Sequence, residues 1–251
     1  MEKFTIVAQT YSARGEPARA TDMFHRIIEL APMDLNVRTR LIDQLIFVGN
    51  VEMAIEEYVE LGEVYYSLAD LNTARKTYTK ALRLAQRPEM DRRVKVNILH
   101  RMADIDLQSL DWRQAVRVFE QIRTLQPEDE GARASLIDLN FRLGQTSQAL
   151  AEVDNYISHL WNNGQKTKAL GFLEKMVEEQ PQQAPLRRRL SEVYRISDRT
   201  EDAISQLDTA GEILMEAGDQ KGAREIITAI LALNPHNKGQ YQQLLAQLSE
   251  D

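Results

Sequence analysis

The chain has 251 residues, 43% hydrophobic and 27% charged, with 11 Gly, 7 Pro and no Cys, which excludes disordered and collagen-like classes, disulfides and thiolate metal sites. Its net charge of −7 gathers at one end: residues 1–200 carry 28 basic against 29 acidic side chains, and residues 201–251 carry 3 against 9. That balance disfavours nucleic acid as a partner, and no apolar run approaches the ~20 residues that span a bilayer, so the expectation is protein partners, a cytoplasmic location and no membrane insertion.

In chain order, helical periodicity predicts about fourteen antiparallel helices, over residues 3–14, 16–31, 35–48, 51–69, 71–86, 90–109, 111–126, 130–143, 146–163, 166–180, 184–197, 200–217, 220–233 and 237–249. Their punctuation repeats. Pro127, Pro181 and Pro235 stand 54 residues apart, and Ala115, Ala169 and Ala223 keep the same interval 12 residues upstream of each. Ala20 stands in the same relation to Pro32, whereas Ala74 has Gln86 at the proline position and Pro88 two residues late. Ala149 and Ala203 form a further pair 54 apart, on a different helix of the unit. Each marker has a physical reason. A side chain larger than a methyl would push two crossing helices apart, so Ala recurs there. Glycines such as Gly15, Gly164 and Gly218 suit a left-handed turn between helices, and proline cannot continue a helix.

These residues resemble the tetratricopeptide repeat, whose pattern is W-x2-L-G-x2-Y…A-x3-F…P. Phe4, Val7, Ala8, Tyr11, Gly15, Ala20, Phe24 and Pro32 fall on its positions in order. So do Met102, Ala103, Ala115, Phe119 and Pro127, and then Gly211, Gly218, Ala223 and Pro235. The resemblance implies an all-α fold, a right-handed α-solenoid. The 54-residue interval exceeds a simple repeat and leaves room for one extra helix per unit. In the helices near 51–69, 146–163 and 200–217 the residues fit the pattern twice, once as a second helix (Ala54 and Tyr58, Ala149 and Val153, Ala203 and Leu207) and once as a first (Leu61 and Gly62, Tyr156 and Leu160, Ala210 and Gly211). Such a helix must pack on both sides and needs a wide apolar stripe. The unit at 89–128 lacks it, and its first helix is longer by about a turn and a half, with a local change of superhelical pitch expected. No linker suggests a boundary, so residues 1–251 read as one domain. Starting on a middle-type helix, the chain reads as the C-terminal part of a longer, bacterial-type array; the last helix, with Tyr241, Leu244, Leu245 and Leu248 on one stripe, reads as a cap ending at or near Asp251.

No catalytic constellation emerges. His25, His100, His159 and His236 are isolated, with no H-E-x-x-H, so neither metal nor cofactor is expected, and they read as surface or helix-end histidines. The GQKT at Gly164–Thr167 echoes a phosphate loop, but Gln165 splits its G-K pair and a helix precedes it, which makes it a helix-helix turn. Asp104, Asp106, Glu178 and Glu179 read as solvated helix faces.

The resemblance implies a concave surface lined by first helices. Its twelfth repeat position falls on Ser12, Ile46, Tyr66, Leu107, Phe141, Trp161, Arg195 and Met215, six of them large and mainly apolar. Either these form a groove for a partner segment, or the extra helix covers them and they are core. A second candidate is the run Arg187–Arg189, with Arg195 and Arg199 nearby; Arg188 and Arg195 would face the groove, within reach of a carboxylate or phosphate, or pair with Glu192 and Asp198. Thr5, Gln9, Val59 and Glu63 do not match the Lys and Asn with which some family members clamp a terminal carboxylate. The expected function is a non-catalytic protein-interaction scaffold that binds a partner peptide or helix through Tyr66, Leu107, Phe141, Trp161, Arg188 and Arg195. The alternative is a regulatory or sensor region of a larger signalling protein or enzyme.

Overall fold

The computed structural model describes residues 2–250. Expectations that rest on the side chains of Phe4, Thr5 and Gln9, or on Asp251 as a terminus, lie outside the described residues. Within them are fourteen α-helices and no strand: α1 (Glu2–Ala13), α2 (Pro17–Leu30), α3 (Leu35–Phe47), α4 (Val51–Ser67), α5 (Leu71–Leu84), α6 (Arg92–Gln108), α7 (Trp112–Leu125), α8 (Glu130–Arg142), α9 (Thr146–Asn162), α10 (Lys166–Glu179), α11 (Ala184–Ile196), α12 (Thr200–Glu216), α13 (Gln220–Ala232) and α14 (Lys238–Glu250). Every end lies within two residues of its predicted place.

Short polar side chains start many of these helices. Asp34 accepts from the backbone N–H groups of Asn36 and Val37, both at 3.1 Å, and Asp70, Asp111 and Asp219 each accept from the N–H three residues on. Left-handed residues end them. Gly164 has φ 73° and Gly218 φ 75°, and the following N–H groups of Gln165 and Asp219 return to the carbonyls of Leu160 and Leu214, both at 2.9 Å. At four other turns the same conformation falls on Ala69, Leu110, Asp198 and Asn234, which lack glycine's freedom.

The marker alanines do what the sequence requires of them. Ala20, Ala74, Ala115, Ala169 and Ala223 are all fully buried, as are Ala54, Ala149, Ala203 and Ala210 on the middle helices. The middle helices α4, α9 and α12 have 17 residues each and touch both chain neighbours, α4 packing on α3 and α5, α12 on α11 and α13. Helix α6, which stands without a middle helix, also has 17 residues against 13 for α3, α8 and α11. The excess is four residues, a little over one turn rather than one and a half.

The chain forms two compact units, Met1–Ala132 and Arg133–Asp251, with the boundary inside α8. Each is a stack of antiparallel helices in two layers, and side chains bridge every second helix. In the first unit Ser12 of α1 bonds Gln44 of α3, while Glu63 and Tyr66 of α4 meet Arg101 and Gln108 of α6. In the second unit α9, α11 and α13 share one layer, tied by Arg189–Asp154 and Arg188–Glu225. Helices α8, α10, α12 and α14 share the other, tied by Gln180–Asp138, Arg199–Glu174 and Tyr241–Asp208. An odd number of helices per unit therefore places equivalent helices, α8 and α11 or α9 and α12, in opposite layers.

An arginine, buried in two of the copies and half-buried in the third, marks each three-helix unit, and the sequence reading missed it. Arg38 of α3 donates to Glu57 of α4 at 2.7 Å, Arg133 of α8 to Glu152 of α9, and Arg187 of α11 to Gln206 of α12 at 2.9 Å, always 19 residues apart. Arg38 and Arg187 also reach the carbonyls of Pro32 (3.5 Å) and Pro181 (3.0 Å), the prolines that close the preceding helices. The guanidinium fork thus joins three consecutive helices at one point. Asp106 requires a correction as well. Expected on a solvated face, it is only 2% exposed and accepts two hydrogen bonds from Arg75 of α5, at 2.5 and 2.9 Å. A neighbouring helix supplies the counter-charge that makes its burial tolerable.

Candidate functional site

The eight residues at the twelfth repeat position do not line one surface. In the first unit Ser12 and Ile46 lie in the α1/α3 layer, while Tyr66 and Leu107 lie on α4 and α6 in the other layer, with Gln108 donating to the Tyr66 hydroxyl. In the second unit Phe141 belongs to the core, 9% exposed among Ala149, Val153 and Phe172, and Met215 is on α12 in the same layer as Phe141's α8. Trp161 and Arg195 lie in the opposite layer, on α9 and α11. The reason is the helix count: each extra helix shifts the next copy of the position to the other side.

What the structure does bring together is Trp161, Arg188 and Arg195. Two cavities flank α11. The one towards α9, of about 450 Å³, is lined by Ile157, Trp161, Leu173, Val193 and Ile196 on its apolar side. The one towards α13, of about 590 Å³, has Leu207, Ala229, Ala232 and Leu233 as its floor and Arg188, Arg189 and Arg195 on its wall. Asp154, Arg189 and Glu192 line both, so the outer ridge of α11 is a charged divider between an aromatic groove and a cationic one. Heptad spacing explains this: residues 188, 192 and 195 recur on one helix face. Ile196 is 48% exposed at the mouth, and the Lys166 ammonium lies 5.1 Å from the Trp161 ring centroid.

The arginines differ in how firmly they are held. Arg189 makes two hydrogen bonds to Asp154, at 2.7 and 2.9 Å, and these raise its pKa above the ordinary guanidinium value. Arg195 makes two to Glu192, at 3.0 and 2.5 Å, which lower that carboxyl's pKa. Arg188 has only Glu225 at 3.6 Å, with both side chains more than half exposed. Arg199 pairs with Asp202 at 2.6 Å rather than with Asp198, and stacks 4.3 Å over the Tyr194 ring. The Tyr194 hydroxyl donates to Glu174 at 2.8 Å; burial first, and that bond second, push its pKa up to about 12. Sequence reasoning missed Asp154, Ile157 and Ile196. The 35-residue step from Asp154 to Arg189, close to one repeat length, was the available signal.

Among the described residues no group of three or more His, Asp or Glu side chains could hold a metal ion, and no helix is long and apolar enough to cross a membrane. The histidines are less isolated than their spacing implied: His100 contacts Asp129 at 2.8 Å, and His25 and His236 stand 3.9 and 3.4 Å from Glu57 and Glu201. Gly164–Thr167 is the turn from α9 into α10.

Two tetratricopeptide-repeat models match the chain, over residues 55–88 and 100–158. The first match begins within α4 and ends past α5, so the family's two-helix unit takes a middle helix as its first member. No curated protein matches the chain. Similar solved structures include a tetratricopeptide repeat protein from Parabacteroides merdae, 13% identical over all of this chain and 98% of that one, with a TM-score of 0.38. BtubC from P. vanneervenii is 13% identical over 88% of this chain and 89% of its own, with a TM-score of 0.40. A MamA fragment from Desulfovibrio magneticus RS-1 is 16% identical over 86% and 95%, with a TM-score of 0.31. With both model matches on helices that carry the repeat's buried alanines, the chain carries tetratricopeptide repeats, a family whose helical arrays generally serve as non-catalytic scaffolds for protein-protein contact.

Proposed function

We propose that the α9/α11/α13 face of the second unit holds an extended or helical segment of a partner protein, and that the chain acts as a scaffold without catalysis of its own. The observation that carries this reading is the pair of grooves flanking α11, one largely apolar and lined by Trp161, the other walled by Arg188 and Arg195. An aromatic side chain beside a groove supplies a large contact area at small entropic cost, and arginines beside it orient the bound chain. Tyr66 and Leu107 lie on α4 and α6 of the first unit and are not part of this proposal, and Phe141 packs in the core of the second.

Panning a random dodecapeptide phage library on the purified full chain tests the reading. Selected peptides should bind wild type and lose about tenfold or more in affinity to Trp161→Ala, while Tyr66→Ala and Leu107→Ala bind as wild type. Selection of no binding peptide, or of peptides indifferent to Trp161→Ala, would refute it.

A further inference from the structure

The grooves also specify the chemistry of their occupant, on the reading that the α9/α11/α13 face binds a peptide. The cavity between α11 and α13 is lined by three guanidinium groups and two carboxylates, Asp154 and Glu192, over an apolar floor. Both carboxylates are engaged by two-point hydrogen bonds to Arg189 and Arg195. The remaining cation is Arg188, whose guanidinium makes no hydrogen bond among the described residues and whose ion-pair partner, the half-exposed Glu225, stands 3.6 Å away. A planar fork of five donors held only by a loose, solvent-screened attraction is poised to exchange partners.

We propose that the partner segment is acidic: an Asp or Glu side chain displaces Glu225 and takes the two-point contact that Arg188 lacks, while an apolar residue of the same segment enters the Trp161 groove across the α11 ridge. Exchanging one exposed carboxylate for another costs little. The incoming group gains a geometry in which two N–H···O bonds form in parallel. Arg189 and Asp154, already joined, divide the two subsites and set the separation between the partner's acidic and apolar residues. The internal acid Glu225 then acts as a built-in competitor.

The test uses synthetic peptides taken from the panned sequences, each paired with a version carrying Asn or Gln for Asp or Glu, titrated by calorimetry against the full chain. Neutralising the peptide's acid should weaken binding about fivefold, and Arg188→Gln should weaken the acidic peptide by the same factor with no further loss for the neutral one. Glu225→Gln should tighten the acidic peptide about two- to threefold, because the competitor is gone. Circular dichroism melts of both variants should match wild type. If the selected peptides carry no acidic excess, or if Arg188→Gln binds them unchanged while Trp161→Ala does not, the acidic specificity is wrong and the peptide-binding reading stands. If no peptide is selected, or Trp161→Ala is also without effect, both are wrong.

Discussion

Gly62 and Gly211 are each the twelfth residue of a middle helix, α4 and α12, and an alanine at the two sites should have opposite effects. A methyl carbon at Gly62 would lie 2.5, 2.7 and 2.9 Å from Cε1, Cζ and Cδ1 of Tyr78. Carbon atoms rest at about 3.5–4.0 Å, so the overlap is about 1 Å. Tyr78 is 1% exposed, so its ring cannot swing into solvent to relieve this. Overpacking of this kind costs about 1–3 kcal/mol, and the helix propensity of alanine returns up to about 1 kcal/mol, leaving Gly62→Ala destabilised by about 1–2 kcal/mol. At Gly211 the new methyl meets only Ile226 Cγ2 at 3.5 Å, an ordinary contact, so Gly211→Ala should gain about 0.5–1 kcal/mol. Urea unfolding followed by far-ultraviolet circular dichroism reads both as shifts of midpoint. Tyr78→Leu should relieve the clash, so that adding Gly62→Ala to that variant costs little. A Gly62→Ala protein with a midpoint at or above wild type would refute the account of a ring packed on bare backbone.

Four further outcomes follow from the packing and capping. Ala223→Leu, at a fully buried helix crossing, should lose more than about 2 kcal/mol, seen as a lower thermal midpoint; unchanged melting would sink the assigned repeat register. Leu110→Gly should gain about 0.5–1 kcal/mol in the same melts, because Leu110 holds φ 56° while 72% exposed and so gives up strain but little packing. Arg38→Met removes the counter-charge of half-buried Glu57 and should cost about 3 kcal/mol, with Arg38→Met/Glu57→Leu recovering more than half; a double variant no better than the single one would count against the ion pair. Tyr194 has its folded pKa raised from 10.0 to about 12, so its contribution to stability is complete below pH 10 and is lost as pH rises through 12. An ultraviolet absorbance titration should show one fewer late-ionising tyrosine in Tyr194→Phe, with Tyr78, whose hydroxyl burial also pushes up, still ionising late.

The helices were legible because their signals are local: apolar spacing, aspartate caps, glycine turns and terminal prolines lie within a few residues of the ends they define. The alanine ruler was legible for a related reason, since one contact geometry recurs at fixed intervals. Asp106 was misjudged because its burial depends on Arg75, a partner on another helix 31 residues away. The arginine at each unit's start was legible in principle. Pro32 and Arg38, Pro127 and Arg133, and Pro181 and Arg187 all stand six residues apart, with Glu57, Glu152 and Gln206 19 residues beyond. Each was overlooked because a charged residue is ordinarily read as solvent-facing. Trp161, Arg188 and Arg195 were grouped with residues the structure separates from them: one groove was weighed for every twelfth position, and the alternation of layers puts Phe141 and Met215 on the other side.

That alternation amounts to a parity rule. A two-helix repeat can be duplicated any number of times and each new copy presents the same helix to the same side, so a recognition surface lengthens with the gene. Duplicating a three-helix unit inverts the presentation: the copy of α9 is α12, in the opposite layer, and the side chain that occupies the place of Trp161 on it, Met215, lines neither α11 groove. A partner footprint in such an array grows only when three-helix units are added in pairs, since an intervening two-helix unit such as α6/α7 leaves the parity unchanged, and consensus design with this unit would have to write its binding residues on a different helix in alternate copies.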